Sequence, residues 1–126
     1  MARNLLRVPG EAAVLDPLSQ HLSQYMSLLS IRQGVVSSNI ANADTPGYKT
    51  KDIDFESELQ NAANGMEPVV GEVQGLTLKN DGNNVDLDRE ARLLAENALH
   101  FSIAGNLVRS QLKSLKMAIE GGGSGA

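Results

Sequence analysis

The side chains best suited to acid–base or metal chemistry in this chain are two histidines, and neither stands in a pattern that uses it. His21 and His100 are the only histidines among 126 residues, and no carboxylate–histidine motif accompanies them. Cysteine is absent, which removes thiolate metal sites, cysteine nucleophiles and disulfides together. No serine has an evident histidine–aspartate pair, and there is no glycine-rich phosphate loop. We interpret both histidines as solvent-facing helix residues, and we expect no enzyme, no cofactor and no small-molecule substrate.

Two acidic runs offer the other candidates for a metal or acid–base site. Residues 81–92 resemble a calcium loop only faintly, because Asp86 stands where the loop needs glycine and Arg92 where it needs the bidentate glutamate. We interpret this run as a turn followed by a helix cap. The second run alternates acids with other residues, which is typical of the solvent side of a short strand and which we prefer to a paired-carboxylate site. Its acids are Asp52, Asp54, Glu56 and Glu58.

Charge and hydropathy exclude several classes of protein. The net charge is −4 and both signs are interspersed, so no basic face predicts nucleic-acid binding. No apolar run approaches the ~20 residues needed to span a bilayer. The chain starts with Arg3 and Arg7, but Pro9 and Gly10 break its short apolar pieces, which makes a poor secretory signal. If the protein works outside the cytoplasm, we expect another export route.

The stretch from about residue 85 to 119 predicts one long helix with a coiled-coil seam. Apolar or small residues recur there in alternating steps of four and three, which is the 3.5-residue period of a heptad. Acids in the first turn and Gly121 after the last one suit the two ends of a helix. We predict a helix over 85–120 and a flexible glycine-rich tail over 121–126. The late seam consists of Leu87, Ala91, Leu94, Ala98, Phe101, Gly105, Val108, Leu112, Leu115 and Ile119.

An earlier stretch carries a second, weaker seam. Asp16 and Pro17 are typical of a helix start, because aspartate caps free N–H groups and proline fits the first helical position. We therefore predict a flexible lead-in over 1–14 and a helix over 15–43, long enough to lie along most of the late one. The early seam consists of Leu15, Leu18, Leu22, Tyr25, Leu29 and Val36.

The run Thr45-Pro46-Gly47-Tyr48 is expected to end the early helix, because Pro–Gly is typical of a type II turn. Residues 44–84 then mix alternating and glycine-broken pieces, which predicts loops and short strands, one of them over 52–56. The predicted fold is mainly α. Its N- and C-terminal long helices pair as an antiparallel coiled-coil-like hairpin, with a small irregular, short-β middle region.

Each predicted helix carries apolar residues beside its seam, which one partner helix cannot cover. We hypothesise that neighbouring copies cover this second ridge and that the helices are marginal without them. The alternatives are a four-helix homodimer and a plain hairpin whose ridge is closed off locally. The ridge consists of Leu28, Ile31 and Val35 on the early helix and Leu99, Ile103 and Leu107 on the late one.

The run 37–49 is a helix end dense in short polar side chains, followed by a fixed turn. It resembles the N-terminal signature of bacterial flagellar rod, hook and related axial proteins. Residues 52–55, 85–90 and 95–99 are similar to proximal rod members of that family. Together these blocks cover most of the chain outside its ends. The motif residues are Ser38, Asn39, Asn42, Asp44, Thr45, Pro46, Gly47 and Tyr48.

The resemblance implies a structural subunit of the hollow flagellar basal-body rod. In that family the terminal helices of one chain pair, many chains pack into a tubular helical wall, and the flagellar type III apparatus exports them without a cleaved signal. The implied location is the rod that spans the periplasm. The implied partners are other copies, other rod proteins, the rod–ring adaptor FliE and the membrane-ring protein. Asn39 and Asn42 are expected to be helix-end and subunit-contact residues.

A rival interpretation from another class is a soluble helical-hairpin adaptor or secretion chaperone that binds one partner in the cytoplasm. Both interpretations use the same two helices. They differ in where the folded chain is found in the cell.

Overall fold

Two long helices that pack along each other dominate the fold. The computed structural model describes residues 11–124, and the side chains of residues 17–121 within them. The long helices are α1 (Glu11–Ala41) and α3 (Leu87–Ser124), and the end of one lies beside the start of the other. The predicted mainly α hairpin is confirmed. No helix among the described residues is both long and apolar enough to cross a bilayer.

α1 is already helical at Glu11, the first described residue, and ends at Ala41, which corrects the predicted bounds of 15–43 and leaves Pro17 inside the helix. Proline lacks the N–H that would bond four residues back, so it weakens this first part of α1 without ending it. The preceding Glu-Ala-Ala-Val-Leu run contains good helix formers. Residues 1–10 of the predicted lead-in, and the side chain of Leu15, lie outside the described part of the chain.

The small middle region contains a two-stranded antiparallel sheet and one short helix. The strands β1 (Lys51–Asp52) and β2 (Gly71–Glu72) flank the helix α2 (Phe55–Ala63). The strand predicted over 52–56 is therefore wrong beyond its first residue. Asp54 caps α2, since its side chain accepts from the N–H of Ser57 and from its hydroxyl (3.0 Å). The inner face of α2 recurs with the helical period, at Phe55, Glu58, Leu59 and Ala62.

α3 is capped at its start and continues beyond its predicted end. Asp86 accepts from the N–H groups of Asp88 (3.0 Å) and Arg89 (3.2 Å), so the predicted cap is in place. The helix runs to Ser124, which corrects the predicted tail at 121–124. A glycine cap needs a positive φ, and Gly121 does not adopt one.

The core lies at the end of the hairpin where α1, β1 and the start of α3 meet. α2 closes one side of it, because the rings of Tyr25 and Phe55 meet edge to face (5.4 Å) and Nε2 of Gln24 donates to the carbonyl oxygen of Ala62 (3.1 Å). The buried apolar side chains are Leu28, Leu29, Val36, Ala43, Ile53, Val85 and Ala104.

Candidate functional site

Asn39, near the end of α1, joins three parts of the chain. The side chain is fully buried. Its Nδ2 donates to the carbonyl oxygen of Lys51 (2.7 Å) and to Oε2 of Glu90 (3.1 Å). Its Oδ1 accepts from the N–H of Lys51 (3.1 Å) and from the hydroxyl of Tyr48 (3.0 Å). One amide thus fixes the end of α1, β1 and the start of α3 relative to one another.

A chain of alternating charges extends this site. Asp52 accepts from Nε (3.0 Å) and Nη2 (2.9 Å) of Arg32 and from Nη2 of Arg89 (2.8 Å). Nη1 of Arg89 also donates to Oε1 of Glu90 (2.7 Å), whose side chain is fully buried. Each carboxylate oxygen therefore has a donor, as a buried charge requires. We call this cluster the hub: Arg32, Asn39, Tyr48, Lys51, Asp52, Arg89 and Glu90.

Asp52 acts in the hub as a fixed anion. Burial raises the pKa of its carboxyl, but hydrogen bonds from Arg32, from the N–H of Ile53 (2.8 Å) and from Arg89 outweigh that effect. The pKa of Asp52 is therefore below its ordinary value. Asp52 is ionised at neutral pH, which suits a structural link rather than proton transfer.

Two neighbouring asparagines tie the turn after α1 to the loop before α3. Asn83 is fully buried, and its Nδ2 donates to the carbonyl oxygens of Asn42 (2.8 Å) and Thr45 (2.8 Å). Oδ1 of Asn84 accepts from the N–H of Thr50 (2.6 Å). The loops beside the hub therefore satisfy their backbone groups through side chains instead of through a larger sheet.

The predicted motif residues divide between the hub and the surface. Asn39 is buried and all its hydrogen bonds lie within the chain, so the structure gives it an internal role. Gly47 has φ +74°, and the N–H of Tyr48 donates to the carbonyl oxygen of Thr45 (3.2 Å), as in the predicted type II turn. The motif residues at least partly open to solvent are Ser38, Asn42, Asp44, Thr45, Pro46, Gly47 and Tyr48.

The face of α3 toward α1 consists of two alternating lines of residues, each with a spacing of seven. The predicted apolar line is Leu94, Phe101, Val108 and Leu115. The other line is Glu90, Asn97, Ala104, Gln111 and Ala118, each one position before a predicted seam residue. Asn97 shows how a polar residue fits there, because its Nδ2 donates to the carbonyl oxygen of Leu29 (2.8 Å) on α1. The predicted residues Leu87, Ala91, Ala98, Phe101, Leu112 and Ile119 are exposed, and Gly105 is half-buried.

The early seam and the second ridge are covered unevenly. Leu29 and Val36 are buried, Leu22 and Tyr25 are half-buried, and Leu18 is exposed. On the second ridge of α1, Leu28 is buried, and Ile31 and Val35 are half-buried. The ridge on α3 has no such cover from the described part of the chain. Its residues Leu99, Ile103 and Leu107 are each about half exposed.

Sequence patterns did not single out most of the hub. Arg32, Arg89 and Glu90 were not predicted as site residues, and neither were Asn83 and Asn84 beside the hub. The available signal was the spacing of seven between Glu90 and Asn97, which continues through Ala104 and Gln111. The acids of residues 52–58 also differ from a strand's solvent side: Asp52 is in the hub, Asp54 caps α2, and Glu58 is buried.

The arrangement offers little to a metal or a reacting substrate. Within the described residues, no three histidine, cysteine, aspartate or glutamate side chains are grouped so that they could hold a metal ion. His21 and His100 are both exposed, and the ring of His100 lies 6.5 Å from that of Tyr25. What the structure presents instead is a buried, hydrogen-bonded hub at one end and exposed apolar faces along α3.

Comparisons with known proteins give this architecture a family. Residues 23–49 match the family described as Flagella basal body rod protein. The chain is 33% identical to the flagellar basal body rod protein FlgB of Salmonella typhimurium, covering 86% of this chain and 96% of that one. It is 32% identical to FlgB of Borrelia hermsii, over 77% and 91% of the two chains. It is 28% identical to FlgB of Bacillus subtilis, over 82% and 93%. These relatives are named as parts of a structure and not as enzymes, and the chain belongs to the FlgB family of flagellar basal body rod proteins.

Proposed function

We propose that this chain is a subunit of the proximal rod, polymerised through its two long helices into the wall of a hollow helical rod. One observation carries the proposal. The hub satisfies its polar groups inside the chain, whereas α3 keeps large apolar residues exposed along most of its length. Contiguous exposed apolar surface of this kind marks a surface that associates with other proteins.

The two long helices supply the geometry for such a wall. α3 has 38 residues and is therefore about 57 Å long, while α1 has 31 and is about 46 Å long. Two paired helices of this length present continuous side faces to neighbouring subunits. The exposed seam residues Leu18, Leu112 and Ile119 and the α3 ridge Leu99, Ile103 and Leu107 are the proposed packing residues.

The proposed partners are other copies, other rod proteins, the adaptor FliE and the membrane-ring protein. Export is proposed through the flagellar type III apparatus, without a cleaved signal, to a rod that spans the periplasm. The relatives named as rod proteins support this route by family membership. The rival cytoplasmic adaptor predicts that the folded chain stays in the cytoplasm.

A charge on the exposed seam tests the proposal. Leu112→Asp should leave the isolated chain folded, because Leu112 is 61% exposed, and yet should remove the chain from isolated basal bodies and abolish swimming. Circular dichroism melting of the purified variant provides the folding control. Fractionation of cells with and without the flagellar exporter provides the second arm. Swimming by the variant, or a chain that stays cytoplasmic when the exporter is present, would contradict the proposed function.

A further inference from the structure

A groove opens between α1 and α3 at the end of the hairpin away from the hub. Its volume is about 720 Å³. The wall on α3 is mainly apolar, with Phe101, Leu112 and Leu115, whereas the wall on α1 carries a row of serines. These serine hydroxyls make no hydrogen bond to any described residue. The serines of this distal groove are Ser19, Ser23, Ser27 and Ser30.

The distal groove also contains a polar atom without a partner. Gln111 lines the groove, and its Nε2 is buried with no hydrogen-bond partner among the described residues. A buried amide donor without a partner is destabilising. An occupant that brings a carbonyl oxygen would supply that partner. The groove therefore favours an occupant with free backbone groups as well as apolar side chains.

Residues 66–70 of the same chain have these properties. Met66 is 57% and Val69 65% exposed, and the segment is neither helix nor strand. From Glu67 to Val70 its backbone makes no hydrogen bond to any described residue. A docking helix would have satisfied its own backbone, so it would leave the serines and Gln111 unpaired. The groove thus fits an extended segment better than a helix.

The ends of this segment keep it on the surface of its own chain. The N–H of Met66 donates to the carbonyl oxygen of Asn61 (3.0 Å), and Gly71 pairs with Asp52 in the sheet. A segment held at both ends is presented to a neighbour more readily than it reaches back into its own groove. The lengths are similar. The serine row covers about 16 Å of helix, and five extended residues cover about 13 Å from the first to the last Cα.

Charge favours this segment over residues 1–10 as the occupant of the groove. Arg109, Lys113 and Lys116 lie along one flank of α3 beside Leu112, in steps of four and three. Nζ of Lys116 lies 4.0 Å from Oε1 of Glu120 on the same flank, whereas no ion pair joins Arg109 or Lys113 to a described residue. Glu67, within the segment, is exposed and makes no ion pair with any described residue. Residues 1–10 carry two arginines and no acid, so they would bring like charge to the basic flank.

We propose that residues 66–70 of one copy dock in the distal groove of the next copy. The backbone of the segment would bond to the serine row and Gln111, its apolar side chains would cover Phe101 and Leu112, and Glu67 would face the basic flank. The two surfaces are different parts of the chain, so the contact is heterologous and repeats as an open helical array instead of closing as a dimer. This inference rests on the proposed rod function and names one of its contacts.

Cysteine cross-linking tests the contact directly, because the chain has no cysteine of its own. Val69→Cys and Leu112→Cys, produced together as separate chains in cells that build flagella with this protein, should give a mixed covalent dimer on mild oxidation. A single chain with both substitutions should give a ladder of higher oligomers. Val69→Cys with Leu99→Cys is the matched control, since Leu99 is also exposed on α3 but does not line the groove.

The outcomes separate this contact from the rod function. Absence of the mixed dimer in cells that swim, or equal yields with Leu99→Cys, would overturn the docking while the rod function stands. Linkage of Leu112→Cys to Leu5→Cys instead would assign the groove to residues 1–10 and also overturn it. Loss of the chain from basal bodies in every combination, the unsubstituted chain included, would overturn both.

Exchanging the charges of the segment and of the basic flank provides an independent test of the contact. Glu67→Lys, and separately the pair Lys113→Glu and Lys116→Glu, should each reduce the mixed dimer several-fold, because like charges then meet. The two changes combined should restore part of the yield. A combined variant that stays as low as the worse single change would show that Glu67 does not face the basic flank.

Discussion

The two ends of the hairpin use the same two helices but differ in how completely the chain buries its own side chains. At the hub end, Asn39 and Glu90 are fully buried and every polar atom of their side chains has a partner. At the distal end, Leu112, Met117 and Ile119 are each more than 60% exposed. The hub end satisfies and buries its polar groups within one chain, whereas the distal end leaves large apolar side chains exposed.

This difference suggests where stability and association reside. Buried, satisfied polar groups and the apolar residues around them resist local opening, whereas a helix with few buried contacts opens at low free energy. We therefore expect the hub to determine whether the chain folds. The distal faces should determine whether the folded chain assembles.

The largest effect on folding is expected from Asn39→Ala. This change leaves the backbone N–H and carbonyl oxygen of Lys51 and Oε2 of Glu90 without that partner, so we expect the free energy of unfolding to fall by about 3 kcal/mol. Asn42→Ala is the matched control. Its side chain bonds only to Ser38 and Thr45 at the exposed turn, so the loss should be below about 1 kcal/mol.

Urea unfolding of the purified chains measures both variants. Equal losses for Asn39→Ala and Asn42→Ala would mean that the turn, and not the hub, limits stability. The comparison between the two ends would then lose its basis.

A smaller effect, and a pH dependence, is expected from Asp52→Asn. At neutral pH the change removes the anion between two arginines, so we expect a loss of about 2 kcal/mol. The pKa of Asp52 is lowered in the folded chain, so its contribution is present above the ordinary carboxyl pKa of about 3.9. It is lost as the pH falls from there through the folded value.

Unfolding free energies of the two proteins between pH 7 and pH 3 measure this effect. The difference between them should be largest near neutral pH and should shrink below about pH 4. A difference that stays constant to pH 3 would show that the ionised form of Asp52 is not what stabilises the hub.

The overall fold was accessible from sequence because helix periodicity is local. Alternating steps of four and three predicted the two long helices and the apolar line from Leu94 to Leu115. The neighbouring line on α3, which begins with Glu90 and Asn97, could not be predicted from the sequence. Glu90 and Asn97 look like solvent residues until the amide of Asn39 and the carbonyl oxygen of Leu29 are placed opposite them, and those partners are more than 50 positions away in sequence.

The middle region shows a second limit. The alternation over residues 52–56 has too few positions to distinguish a strand from a capped helix. The cap decided the outcome, because Asp54 bonds to the backbone and hydroxyl of Ser57 and α2 follows at once. The hub was missed for a related reason. Arg32 and Arg89 are ordinary surface residues in sequence and become part of a site only when β1 brings Asp52 between them.

The smallest effect on folding, and the sharpest test of the comparison, is expected from the double change Ile103→Ser and Leu107→Ser on the α3 ridge. Both residues are about half exposed, serine and isoleucine have similar helix propensities, and leucine exceeds serine by less than ~0.7 kcal/mol, so the free energy of unfolding should change by less than about 2 kcal/mol. The same change should reduce the amount of chain in isolated basal bodies severalfold, because we propose that neighbouring subunits cover this apolar surface. Urea unfolding and immunoblots of basal bodies measure the two quantities on one variant.

A loss above about 2 kcal/mol in the isolated chain would mean that the ridge packs within the chain, and unchanged incorporation would mean that neighbours do not use it. Either result would show that the exposed face of α3 does not separate the residues needed for folding from those needed for assembly.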